Sequence, residues 1–206
     1  DQLDLSRSIQ NVNTGVYTRY GNTYEPTNWR LGAVYNLQPQ TQLFAQYSSA
    51  VVPVSGLLFI SAANSTFNLT TGESYEAGVK SSAFGDRMQL TASVFHIRQD
   101  DILTRDPANP NITIQGGSQT SDGVEASVSA GLTDDLRLDF SAALLNAEFD
   151  ELIEAGGANR SGNTPVNTPE QLADLVLSWT PKDLPVTVFG AVRYNGEFYT
   201  STSNLY

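Results

Sequence analysis

The residue best placed to do chemistry is the single histidine, His96, with Asp100 four positions further on and serines close by. Those three residue types could form a hydrolase triad. No serine near His96 has the tight, glycine-flanked strand-to-helix context of a nucleophile elbow. His96 therefore reads as an isolated strand histidine. Asp100 and Asp101 could form an acid–base pair. Neighbours on a strand point to opposite faces and do not share a proton. Asp106, Asn109 and Asn111, set among Pro107 and Pro110, offer oxygen ligands of the kind calcium takes. Their spacing is not that of a calcium-binding loop, so a tight turn stabilised by Asx side chains is the expectation. There is no cysteine, hence neither a disulfide framework nor a thiolate site. One histidine makes no zinc site without carboxylate partners. The sequons at Asn64, Asn68, Asn111 and Asn159 would matter only in a eukaryotic secreted protein. No catalytic residue, metal or cofactor is expected.

Composition narrows the class further. The formal net charge is −11 and the isoelectric point is near 4.3, which argues against nucleic acid as a partner. The simple meaning of the acidity is solubility of exposed segments. No run of 18 apolar residues offers a transmembrane helix. Asp1 to Gln10 lack the apolar stretch of an export signal, which is expected to lie outside these 206 residues.

The elements that must position these residues are strands. Period-two alternation recurs in segments of roughly ten residues, the length a tilted barrel strand needs to cross hydrocarbon. Leu136, Leu138, Phe140, Ala142 and Leu144 share one face, and Arg137, Asp139, Ser141 and Ala143 the other. Val124 to Leu132, Tyr75 to Val79 and Trp29 to Leu37 alternate likewise. From Gln89 to Ile97 the pattern is blurred and either face is open. Short turns punctuate the chain at Gln38–Gln40, Phe84–Asp86, Thr133–Asp135 and Pro181–Asp183, rich in Gly, Pro and Asp. Pro39, Gly85, Asp134 and Lys182 stand 46, 49 and 48 residues apart, a repeat of one hairpin plus one long loop. Between them fall the longer connections Asn11–Glu25, Val52–Thr71, Thr104–Asn111 and Phe149–Thr168.

Short turns at one end and long loops at the other are the layout of an all-β, antiparallel, up-and-down transmembrane barrel, with periplasmic turns and extracellular loops. The apolar faces then meet lipid and the small polar faces meet water or a plug. The expected strands are 2–10, 27–37, 42–51, 73–83, 87–102, 112–132, 136–148, 170–180 and 186–199. Nine such strands leave two unpaired edges, untenable in lipid, so residues 1–206 are expected to be an incomplete segment of a closed barrel. Trp29, Tyr47, Trp179, Tyr194 and Tyr199 lie in or near strand ends. In a barrel they form an interfacial girdle; in a soluble fold they would be core.

Several segments resemble TonB-dependent receptors. Gly72 to Lys80 is similar to that family's strand ending in Glu-x-Gly-x-Lys. Ser93 to Ile102 resembles its F-x-I-x-Q-D-N segment, with Asp101 where Asn is common. Ser121–Glu125 resembles S-x-G-V-E, Gly162–Glu170 resembles G-N-x-P-x-N-x-P, and Val192–Tyr199 resembles V-R-Y-x-G-x-x-Y. Each is weak alone; five in the family's order, over residues 72 to 199, are strong together. Trp29–Gly32 and Pro53–Ser55 resemble the siderophore branch most.

The resemblance implies a barrel of about 22 strands filled by an N-terminal plug. This chain would start near the middle of that barrel and stop some four strands before its end. It implies active import of an iron–siderophore or similar chelate, energised by the TonB–ExbB–ExbD complex through an N-terminal region absent here. Arg105 and Arg160 are the basic residues of two expected external loops, and guanidinium suits carboxylate or catecholate oxygens. Each is weighed against a plain solvated loop charge. Phe59, in the apolar run Leu57–Ile60, is expected to pack on the plug or neighbouring loops, or to touch the ligand. Open alternatives are a passive porin, a receptor for another scarce nutrient, and a soluble carbohydrate-binding module.

Overall fold

Valine, tyrosine and threonine favour extended backbone, and the regular elements among the described residues are strands apart from one short 3-10 turn. The computed structural model describes residues 2–52, 67–106, 108–109 and 113–205, and of Arg105 the backbone alone. Phe59 with the run 57–60, residues 53–55, Asn64, Pro107, Pro110, Asn111 and the Arg105 side chain lie outside the described residues. The elements are β1 (Leu3–Gln10), β2 (Tyr17–Tyr24), β3 (Trp29–Gln38), β4 (Thr41–Val52), β5 (Thr70–Ala83), β6 (Met88–Arg105), β7 (Thr113–Gly131), β8 (Leu136–Glu151), β9 (Ile153–Glu154), β10 (Ala158–Asn159), β11 (Gln171–Trp179) and β12 (Val188–Asn195), with one 3-10 turn at Ala155–Gly157.

Eight strands form one antiparallel meander in the order β12-β11-β8-β7-β6-β5-β4-β3. Every connection joins neighbours, the up-and-down arrangement the turn spacing predicts. The four short turns all fall at one end of the sheet. Phe84, Gly85 and Asp86 are left-handed in succession, with φ 56°, 64° and 66°; glycine meets that demand without a Cβ penalty. The sheet is open, and no described strand pairs with the outer edges of β3 or β12. Both strands are exposed along their whole length, and in lipid such edges have to be paired.

The first strand departs from expectation. β1 is outside the main sheet and pairs with β2 along its full length, Leu3 against Tyr24 to Gln10 against Tyr17. The segment 11–25, expected to be a loop, is therefore half strand. Its turn is set by Asn11, whose Oδ1 accepts from Asn13 N (3.0 Å) and Thr14 N (3.2 Å), with Gly15 at φ 70°. The polar, glycine-containing stretch Tyr17–Tyr24 hid its strand character, although tyrosine and threonine both favour extended backbone. The last strand is shorter than expected: β12 ends at Asn195, and Tyr199 lies beyond it.

Register decides which residues share a face, because paired residues point the same way. Across the sheet run the rows Tyr35–Leu43–Val79–Ala92–Ala126–Ala142–Ala173–Tyr194 and Val128–Phe140–Leu175–Val192. One face is thus apolar from β3 to β12. Leu31 is 68% exposed, Leu144 56% and Val192 68%. Water tolerates no continuous apolar face of that extent on a monomer; lipid requires one. On β6 the ambiguity ends: Leu90, Ala92 and Val94 join the apolar face, while Gln89, Thr91, Ser93 and Phe95 join the opposite one.

Candidate functional site

Three surfaces carry function in such a sheet: the lipid face, the opposite or lumen face, and the loop end. On the lipid face an aromatic row marks the loop-side margin of the apolar band. The Trp29 and Tyr47 ring centres are 4.7 Å apart, Tyr47 and Tyr75 4.6 Å, and Tyr75 and His96 6.2 Å. Tyr75 and His96 extend this row beyond the residues expected from sequence. The signal was present, since Tyr75 heads the alternation Tyr75–Ala77–Val79. Tyr194 lies towards the same end on β12, and Trp179 closes β11 at the turn end. Tyr199 is set apart, its carbonyl accepting from Asn167 N at 2.8 Å in the outer segments.

His96 ends this row as a polar terminus. Its Nδ1 lies 2.7 Å from Asp122 Oδ1 on the next strand. Asp100 is instead held by Arg98, at 3.0 Å, so the triad geometry is not formed. At Asp101 a register shift interrupts β6, with φ 62°, and strict alternation stops there. The Asp106 loop is an Asx turn: Oδ1 accepts from Ala108 N (2.7 Å) and Asn109 N (2.9 Å). Among the described residues no three His, Asp or Glu side chains group to hold a metal.

The lumen face is polar and cross-linked from strand to strand. Glu76 accepts from Gln46 Nε2, and Glu125 Oε1 from Ser93 Oγ at 3.1 Å. Arg137 pairs with Asp139 at 2.9 Å and Arg193 with Asp174. Glu76 and Glu125 have no ion-pair partner among the described residues. Two phenylalanines lie flat against this wall over glycines. A Cβ on Gly78 would fall 2.6 Å from Phe44 Cζ, and one on Gly123 would meet the Phe95 ring. Glycine is required where the rings cross the neighbouring strand. Lys80 Nζ stands 5.2 Å from the Phe44 ring centre, a cation–π contact. The wall offers hydrogen-bonding groups to water or to a polypeptide filling the lumen.

At the loop end the chain builds small cores. Tyr24 and Leu69 are buried together, with Leu3, Leu5, Tyr20, Val51 and Leu103 around them. Ala147, Phe149 and Leu152 are 2%, 6% and 4% exposed. Arg160 is not a solitary loop charge. Its Nε donates to Glu154 Oε2 at 2.9 Å, with both side chains about three-quarters covered. Burial pushes the Glu154 carboxyl up, but hydrogen bonds from Arg160 and Thr202 and the Arg160 charge outweigh it, and its pKa is lowered.

A family model described as TonB dependent receptor-like, beta-barrel matches residues 4–206. The metal-pseudopaline receptor CntO of Pseudomonas aeruginosa is 35% identical over 129 residues, covering 62% of this chain and 18% of that protein. The ferrichrome outer membrane transporter/phage receptor of Escherichia coli is 26% identical over 179 residues, 85% of this chain and 23% of its own. The chain thus spans about a fifth of the curated relatives it matches. Among solved structures, the ferric-catecholate import receptor Fiu of E. coli superimposes with a TM-score of 0.67 at 22% identity, covering 89% of this chain and 26% of that one.

Proposed function

The chain belongs to the TonB-dependent receptor β-barrel family, a family of the outer membrane, and from that premise we propose that its parent protein actively imports a ferric siderophore or similar metal chelate. The observation that carries this is the likeness, over most of the chain, to receptors named for metal–pseudopaline and ferrichrome. The sheet supports it with a continuous lipid face and a polar inner wall. A passive porin needs no such sequence likeness, and a soluble module could not expose that apolar face. Energy comes from the TonB–ExbB–ExbD complex, acting through parts of the parent protein outside this chain.

Trp29, Tyr47, Tyr194 and Trp179 anchor the barrel at the two lipid interfaces, where a ring sits at headgroup level and its polar tip stays wet; Tyr199 sits above them. Arg105, Arg160 and Phe59 are the side chains proposed to contact the ligand. The Glu154 contact fixes the direction of the Arg160 guanidinium, which suits oriented contact with an anionic chelate. The test is growth of the source organism under iron limitation. Deleting the full-length gene abolishes uptake of one particular ferric siderophore. Arg160→Ala weakens binding of that chelate more than it weakens barrel folding. If iron starvation does not induce the gene and all ferric chelate uptake survives its deletion, the protein is a receptor for another scarce nutrient.

A further inference from the structure

Two outer segments far apart in sequence, 152–169 between β8 and β11 and 196–205 after β12, are bonded to each other at five points. Asn204 supplies two of them. Its Oδ1 accepts from Thr164 N at 2.7 Å and its Nδ2 donates to Thr164 O at 2.9 Å, so one side-chain amide pairs with a backbone as a neighbouring strand would. Asn163 Nδ2 donates to Thr202 O at 2.8 Å, and Asn167 N to Tyr199 O at 2.8 Å. Thr202 Oγ1 donates to Glu154 Oε1 at 2.8 Å, while the other oxygen of that carboxylate holds Arg160.

The first segment is in turn fixed to the sheet. Phe149 N donates to Asn163 O at 2.9 Å and Gly162 N to Phe149 O at 2.8 Å, beside the buried Phe149 ring. Asn204 has φ 53° and Asn167 φ 57°, in the left-handed region that asparagine tolerates better than most residues. The clamp therefore needs both the amide and the backbone freedom of asparagine at position 204.

We infer that these two segments form a single rigid element of the outer rim, with Asn204 as clamp and Glu154 as pin, so that a molecule displacing one displaces the other. This stands on the rim geometry whatever the imported ligand is, and its test needs no ligand. Amide hydrogen exchange is followed in the full-length receptor in detergent micelles. Asn204→Gly keeps the left-handed backbone and removes the amide. It speeds exchange across residues 163–168 by about tenfold, two hydrogen bonds being lost. Acceleration confined to 199–205 overturns the inference. Because a glycine could loosen its own segment alone, a second measurement is independent of that variant. Spin labels at Ser161 and Ser203 give one narrow distance in the otherwise unaltered receptor, and a broad distribution overturns the inference. Glu154→Gln, which removes the pin's charge, broadens that distance; an unchanged width would reduce the element to the clamp alone and overturn the role given to Glu154.

Discussion

The turn end and the loop end of this sheet are held together by different physics. At the turn end no residue is buried. Neighbouring turns are tied by backbone bonds, Thr180 N to Asp135 O and Gly131 N to Arg87 O, each 2.8 Å. One carboxylate, Asp134, spans three turns by meeting Arg87 at 2.9 Å and Lys182 at 2.7 Å. All three side chains are at least half exposed, so the tie sets geometry more than it adds stability. At the loop end lie the described buried apolar side chains, Tyr24, Leu69, Ala147, Phe149 and Leu152. Between the ends the described residues form no apolar core of their own, because lipid takes the place a core would have. Only where the strands rise out of the membrane must the chain fold as a water-soluble protein does, with buried rings and satisfied loops.

The sharpest way to break this comparison is topological. Cysteine at Asp134 of the full-length protein stays unlabelled by an impermeant thiol reagent on whole cells, and cysteine at Ser161 labels. Ser161 is exposed. Equal labelling would invert or erase the two ends.

Next in size is the loop-end core. Phe149→Ala costs about 3–5 kcal/mol, as for a buried ring removed from a packed site. It appears as local opening of residues 152–169 in hydrogen exchange, with β4 to β7 still protected. Uniform loss of protection would mean that the outer core and the spanning sheet are one cooperative unit.

The lipid face comes third. Phe140 sits mid-row between Val128 and Leu175. Arg there costs about 2–4 kcal/mol in reversible unfolding from lipid, whereas Arg at Ser141, which faces the lumen, costs little. A larger penalty at Ser141 reverses the faces.

The smallest effect is at the turns. Hydrogen bonding and charge from Lys182, then the Arg87 charge, hold the Asp134 pKa below its ordinary value. A depressed carboxylate pKa contributes stability above the unfolded pKa and loses it as pH falls through the folded one. Asp134→Asn therefore lowers the melting temperature slightly at neutral pH, and the difference closes below about pH 4 and in high salt. A difference that persists in acid would mean that the carboxylate charge is not what ties the turns.

What the sequence determined by itself was the part governed by period and punctuation. Leu136 to Leu144 alternate, and Pro39, Gly85, Asp134 and Lys182 recur at one spacing, so the meander, its two ends and most of the lipid face follow from local rules. The Gln89–Ile97 face did not follow, because Phe95 sits on the lumen side and spoils the alternation; only pairing with β5 and β7, whose Gly78 and Gly123 make room for rings, assigned it. The β1–β2 hairpin was missed because Tyr17–Tyr24 carries turn-like residues and is held as strand by its partner. The Glu154–Thr202 bond and the partner of His96 were equally beyond reach. Glu154 and Thr202 are brought together across 48 residues, and Asp122 reaches His96 only once β6 and β7 are in register. Periodicity is a property of a segment and can be read along the chain; a hydrogen bond between distant segments exists only after the sheet has set their register.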